Sequence, residues 1–224
     1  MKNFVFFLVF AIIASCQTKP AENSTSLFNG KDLTGWQFFK GKENNSWEVT
    51  ADGLLHCKPF DGNEKRADLI TAVDYENFEL TWEWKIAAQG NSGVMFGVVE
   101  TYDEPYLSGP EYQLLDDIGY PGKIEDWQKT SANYGMHVAE GAQPKPVGEW
   151  NTSKIVVNKN HVEHWLNGKK VVDYELGSDD WKERKTKSKW NEAPGYGASS
   201  KGRIALQDHG GEVWFKNISV VVLL

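Results

Sequence analysis

An all-β fold, two antiparallel sheets stacked as a sandwich, is predicted for this chain by three observations. Asn77–Ala87 alternates strictly: Phe78, Leu80, Trp82, Trp84 and Ile86 share one face, and Glu79, Thr81, Glu83 and Lys85 share the other. A period of two marks a strand with one buried side. Short β-rich runs recur along the rest of the chain between turn signals, and helical periodicity is almost absent. The pattern hardly separates a sandwich from a barrel, and the sandwich is the expectation.

In chain order the expected strands are Trp47–Thr50, Leu54–Cys57, Leu69–Ala72, Asn77–Ala87, Val94–Glu100, Tyr112–Leu115 and Tyr134–Val138. Ile155–Asn158, Val162–Leu166, Lys170–Tyr174, Arg203–Gln207 and Val213–Leu223 complete the set. Asn167-Gly168 is a strong hairpin signal, because a tight turn needs two residues that tolerate positive φ. His209-Gly210-Gly211 is expected to join the last two strands in the same way. Ser178-Asp179-Asp180 can cap a short helix running toward Lys187, with acids in its first turn. Two long loops, about 116–131 and 177–202, are rich in Gly, Asp, Lys and aromatics and are expected to serve binding.

Composition narrows the partners. The net charge of −7, from 24 Lys and Arg against 31 Asp and Glu, excludes a general nucleic-acid binder, which needs a basic field. It also disfavours attraction to an anionic membrane surface. Two Cys among 224 residues cannot make a disulfide-stapled scaffold. No His-x-x-x-His or Cys-x-x-Cys pair offers metal-ligand spacing, and no glycine-rich phosphate loop implies a nucleotide.

The N-terminus reads as an address. Lys2-Asn3, the apolar run Phe4–Ala14 and the small-residue end describe an export signal, too short to span a membrane. Ile13-Ala14-Ser15-Cys16 resembles the bacterial lipoprotein box, in which Cys16 is lipidated and becomes the first mature residue. The expected organisation is a signal peptide over 1–15, a flexible tether over 16–26 and a single domain over 27–224. The protein is then exported and lipid-anchored, periplasmic or at the outer membrane, touching membrane through its lipid alone.

Several strings add up in order and spacing. They are Leu27–Trp36 (LFNGKDLTGW), Asn77–Leu80 (NFEL), Gly90–Val94 (GNSGV), Glu111–Asp116 (EYQLLD), Gly148–Asn151 (GEWN), His164–Gly168 (HWLNG), Gly202–Gly210 (GRIALQDHG) and Phe215–Ile218 (FKNI). Together they resemble the 3-keto-disaccharide hydrolase domain family over essentially all of 27–224. The resemblance implies a concanavalin A-like lectin/glucanase jelly roll with a concave sheet that holds sugar. It also implies cleavage of glycosides already oxidised at C3, by β-elimination across C1–C2 or by net hydrolysis, and a separate sugar 3-dehydrogenase upstream to make the ketone. A lectin-like lipoprotein that binds glycan without catalysis is the alternative. A conventional glucanase fits less well, since Glu111-x-Gln113 offers one acid where Glu-x-Asp-x-x-Glu offers three.

A 3-ketone acidifies the C2 proton and places the C1 oxygen β to the carbonyl. Cleavage then needs a base, an enolate stabiliser and an acid for the leaving oxygen. Glu111 and Gln113 lie two apart on an expected strand and share a face; Gln207 and His209 do likewise. Glu111 and His209 are the acid–base candidates, with no assignment of which is which. Asn91, Gln113, Asp116, Tyr134, His164, Gln207, Trp190 and Lys201 are candidate substrate contacts. Trp127, Trp181 and Trp190 lie in the long loops and are expected to line a cleft by stacking on sugar. Lys189 and Lys201 could polarise a ketone oxygen. No cofactor is assigned, although Glu111, Asp116 and Asp117 could hold Ca²⁺ or another divalent ion.

Overall fold

The computed structural model describes residues 23–224, so the expected signal peptide over 1–15 and the expected lipidation at Cys16 lie outside the described residues. The strands are β1 (Thr25–Ser26), β2 (Trp36–Phe38), β3 (Trp47–Val49), β4 (Leu55–Cys57), β5 (Leu69–Thr71), β6 (Phe78–Ile86) and β7 (Asn91–Val98). They continue as β8 (Glu111–Leu115), β9 (Asn151–Asn158), β10 (His161–Leu166), β11 (Lys169–Glu175), β12 (Arg203–Leu206) and β13 (Val213–Val222), with one helix, α1 (Asp179–Lys187). All pairings between these strands are antiparallel, and they form two sheets. An eight-stranded sheet runs β11-β10-β9-β6-β13-β4-β3 with β1 beside β13, and a five-stranded sheet runs β2-β5-β12-β7-β8. The expected sandwich is therefore the observed one. Thr25 and Ser26 already pair with Val220 and Ser219, so the fold begins two residues before the expected start at Leu27.

Alternation explains the core. On β6 the buried set is Phe78, Leu80, Trp82, Trp84 and Ile86. They meet Tyr112 and Leu114 of β8, Val94 and Phe96 of β7, and Ile204 and Leu206 of β12 in one apolar cluster. Trp82 packs edge-on against Tyr112 at 5.0 Å between centroids. The indole of Trp84 donates to Ser153 Oγ at 2.8 Å, which satisfies a buried donor. Cys57 is fully buried, and that burial pushes its thiol up, out of the reactive range.

The Asn167-Gly168 hairpin forms between β10 and β11, with φ of 48° and 83°. Ser178 caps α1 as expected, its Oγ accepting from Trp181 N at 3.1 Å. Two expectations fail. His209-Gly210-Gly211 is not a hairpin, because β12 belongs to the five-stranded sheet and β13 to the eight-stranded one; the chain changes layers there. Tyr134–Val138 is not a strand. Ser131 and Gly135 take φ of 72° and 78°, which breaks the extended run into turns. What remains is an irregular ribbon along β8: Gln113 N donates to Ala132 O at 3.1 Å, Ser131 N to Gln113 O at 2.8 Å, and Tyr134 N to Glu111 O at 3.0 Å.

Trp82 is 1% exposed and central to this core. Trp82→Ala is expected to cost about 3–5 kcal/mol of stability, read from urea unfolding followed by circular dichroism. A loss below about 1 kcal/mol would show that the site collapses around the deletion.

Candidate functional site

The same alternation that fills the core sends a second set of residues to the outer face of the five-stranded sheet. One row across β8, β7, β12 and β5 is Glu111, Met95, Ala205 and Ile70. Met95, Ala205 and Ile70 join Phe39 and Val98 in a small apolar cluster. Two residues along, the row becomes Gln113, Gly93, Gln207 and Asp68. Gly93 pairs with Gln113, and Gln207 N donates to Gly93 O at 2.8 Å. The sheet thus carries a line of hydrogen-bonding groups beside an apolar patch.

Glu111 leans into that line. A Cβ added to Gly93 would lie 2.0 Å from Glu111 Oε1, so the carboxyl occupies the space a side chain at 93 would take. Glu111 is only 4% exposed, and its Oε1 has no hydrogen-bond partner; buried Gln207 Oε1 has none either. Burial pushes the Glu111 carboxyl up to about 8, against the pull of the Lys189 charge. At neutral pH this group therefore holds its proton.

Next to it lies a cleft of about 110 Å³, lined among others by Asn91, Gln113, Tyr120, Gln128, Tyr134 and His209. Gln113 Nε2 donates to Asn91 Oδ1 at 3.2 Å, and Asn91 Nδ2 donates to Tyr120 Oη at 3.3 Å. His209 sits at the rim. Its surface is exposed, yet crowding by protein atoms lowers its pKa, with the Lys189 charge adding to that effect. It is a neutral imidazole at pH 7. A larger hollow of about 340 Å³ lies elsewhere, against Tyr75, Phe78, Phe96 and Leu176. The smaller cleft carries Gln113, two residues from Glu111 on β8, and the imidazole of His209, so chemistry points to it.

The segment carrying Gln207 and His209 is held from beneath. Arg66 pairs with the fully buried carboxylate of Asp208, with Nε donating to Oδ1 at 2.7 Å. Ser46 Oγ donates to Asp208 Oδ2 at 2.5 Å, and Asp208 N donates to Asp68 Oδ1 at 2.7 Å. Asp68 is a second acid on this face. Burial pushes it up to about 7, opposed by the Asp208 N–H and reinforced by the Asp208 charge.

Residues 23–221 match the model of the 3-keto-alpha-glucoside-1,2-lyase-like domain. The chain belongs to that family. A relative from Bacteroides thetaiotaomicron named 3-keto-disaccharide hydrolase is 34% identical over 91% of this chain and 79% of its own. A solved structure from Parabacteroides distasonis, provisionally assigned as a glycosyl hydrolase, is 45% identical and has a TM-score of 0.83. It covers 91% of this chain and 95% of that one. A Bacillus subtilis protein with a galectin-like fold has a TM-score of 0.56 at 16% identity, over 88% of this chain and 94% of its own, and is a likeness of fold alone.

Within this family member, Glu111, Gln113, Gln207, Asn91, Tyr134 and His209 converge on one face, and the other candidates do not. His164 is fully buried between the sheets: its Nδ1 pairs with Ser131 O at 2.8 Å, its ring packs on Tyr112, and burial lowers it to about 4. Asp116 is spent on its own turn. Burial works against its charge, but N–H groups of Gln89, Gly119 and Ile118 outweigh it and hold the carboxyl low. Asp117 accepts from Thr130 N at 2.8 Å. Trp190 is 3% exposed and stacks on Tyr196 at 4.3 Å, and Trp181 is also buried, so neither lines the cleft. Trp127 is the exposed loop Trp, edge-on to Tyr134 at 5.6 Å. Lys201 is exposed beside Gly202, which bridges to Tyr75 at the larger hollow.

Glu111, Asp116 and Asp117 do not gather as an ion site. Among the described residues, the group of three whose ligand atoms lie within 4.8 Å of one another is His161, Glu163 and Asp173. It sits on β10 and β11, and Lys170 Nζ already bridges its two carboxylates at 3.1 and 2.5 Å. Sequence reasoning missed Asp68 and Tyr120. No alternation points to Asp68, because Leu69, Ile70 and Thr71 are all buried.

Folded Glu111 holds its proton more tightly than the unfolded chain does, with a pKa of about 8 against 4.5. Its contribution to stability is therefore complete below about pH 4.5 and is lost as pH rises toward about 8. Glu111→Gln is expected to melt above the parent, by a margin that widens from pH 5 to pH 8. Melting curves that coincide throughout this range would disprove the buried acid.

Proposed function

We propose that this protein cleaves the glycosidic bond of 3-keto-glycosides. The observation that carries the reading is the buried, unpartnered carboxyl of Glu111, beside Gln113 and Gln207 and within reach of a cleft rimmed by His209. Family membership and the name of the Bacteroides relative support it.

The site's two titrating groups divide the work. His209, neutral at pH 7, is the base that takes the acidified C2 proton. Glu111, protonated at pH 7, is the acid that delivers a proton to the departing C1 oxygen. The amides of Gln113, Gln207 and Asn91 hold ring hydroxyls. Elimination gives a 2-hydroxy-3-keto-glucal and a free alcohol or sugar, and water added to the enone completes a net hydrolysis. The substrate class requires a sugar 3-dehydrogenase acting upstream. The sequence of residues 1–16 supports export and a lipid anchor at Cys16, in the periplasm or at the outer membrane.

Asp68 favours a second reading. It puts another carboxyl on Glu111's face, and two carboxyls are what an ordinary glycosidase uses on unoxidised sugar.

The full chain is incubated with 3-keto-trehalose and with trehalose in D₂O and followed by NMR. The expected result is consumption of the keto sugar alone, with an enone or deuterium at C2. Equal cleavage of trehalose would establish the two-carboxylate reading instead. Saturable shifts without turnover would make the protein a glycan-binding module. Glu111→Gln is expected to lower kcat/KM by roughly 100-fold or more. The parent's kcat/KM should fall as pH rises past about 8, where Glu111 loses its proton.

A further inference from the structure

The elimination leaves one role unfilled, that of the group facing the ketone oxygen as charge builds there. Lys189 stands over Tyr134, whose ring belongs to the lining of the cleft. Its Nζ lies over the ring of Tyr134 at 4.2 Å and over that of Trp190 at 4.4 Å. These rings are fixed: Trp190 Nε1 donates to Tyr134 O at 2.8 Å, and Tyr134 N donates to Glu111 O at 3.0 Å. Aromatic faces attract an ammonium without consuming its N–H donors. Among the described residues, Lys189 has no hydrogen-bonding or ion-pair partner, whereas Lys123, which also lines the cleft, is engaged by Glu125 at 2.6 Å. The Lys189 charge is felt by both Glu111 and His209, which places it near both proton-transfer groups.

We propose that Lys189 is the enolate-stabilising residue, its ammonium hydrogen-bonding the C3 ketone oxygen of a bound 3-keto-glycoside. This rests on the 3-keto reading above. As His209 removes the C2 proton, the C2–H electron pair becomes the C2–C3 π bond and the carbonyl pair moves onto the C3 oxygen. The Lys189 ammonium meets that negative charge. The pair then returns to re-form the carbonyl, the C1–C2 π bond forms, and the C1–O bond breaks. The leaving oxygen takes the proton of Glu111. No oxidant or reductant enters. Lys189 keeps its proton throughout, because the enolate returns to a ketone.

The test compares the full chain with its K189M, K189Q and K189R variants, each checked for fold by circular dichroism melting. NMR in D₂O follows deuterium entry at C2 of 3-keto-trehalose and loss of that substrate, and titration calorimetry compares binding of 3-keto-trehalose and trehalose. K189M and K189Q should lose roughly 10²–10³-fold in both exchange and turnover, the scale of removing one oxyanion donor. K189R should keep part of each rate, since it restores a cationic donor. K189M should also lose the parent's preference for the keto sugar while binding trehalose as the parent does. A purely structural role for Lys189 would leave that preference intact. If K189M melts early, K189Q gives the same comparison. K189M or K189Q within about threefold of the parent in exchange and turnover would overturn the role of Lys189 and leave the 3-keto reading standing. A parent inert toward 3-keto-trehalose would overturn both.

Discussion

A glutamic acid can lie 4% exposed on a packed sheet face only where a neighbour leaves room, and here the room is the absent side chain of Gly93. Even one methyl group at position 93 would collide with the carboxyl and force it outward. From that vacated volume the rest of the site follows. The carboxyl loses water and keeps its proton, since ionisation in a poorly hydrated place is costly. It lies between Gln113 on one strand and Gln207 on another, with Met95, Ala205 and Ile70 closing the dry side. A proton donor, amide hydrogen-bonding groups and an apolar floor are thereby set across four neighbouring strands of a rigid sheet.

The long segment after β11 contributes in a different way from a mobile lid. His137, Tyr174, Trp181, Tyr196 and Trp190 stack in series, with centroid spacings of 4.5, 5.4, 5.7 and 4.3 Å. The stack extends the core into the loop and fixes Trp190, which in turn holds Tyr134 beside Glu111. Beneath the opposite rim the Arg66–Asp208 pair does similar work for Gln207 and His209. A buried ion pair gives little net stability because desolvation offsets its attraction. The hydrogen bond from Ser46 to the Asp208 carboxylate and the one from the Asp208 N–H to Asp68 nonetheless leave the segment little freedom.

Much of this was legible because period two is visible wherever one face is wet. β6 shows it over its whole length, and the i, i+2 spacing of Glu111 and Gln113 is enough to put both on one face. β5 hides its face because Leu69, Ile70 and Thr71 are all buried, so no alternation reveals where Asp68 points. The layer change at His209-Gly210-Gly211 is hidden for another reason: a turn signal states that the chain bends, not which sheet it joins. Trp190 was misplaced because an aromatic residue in a loop reads alike whether it faces a ligand or anchors the loop. The position of Lys189 over two rings depends on that anchoring and has no local signature.

The ribbon along β8 has a consequence beyond catalysis. β8 is the last strand of its sheet, and a bare last strand offers its backbone donors and acceptors to any other extended chain. Residues 131–134 occupy that border with their own N–H and C=O groups. Their positive-φ residues, Ser131 and Gly135, keep the ribbon too irregular to be a template in its turn. The stretch that brings Tyr134 to the cleft therefore also guards the protein against polymerising through its sheet border, so a change that loosened it would cost solubility as well as shape.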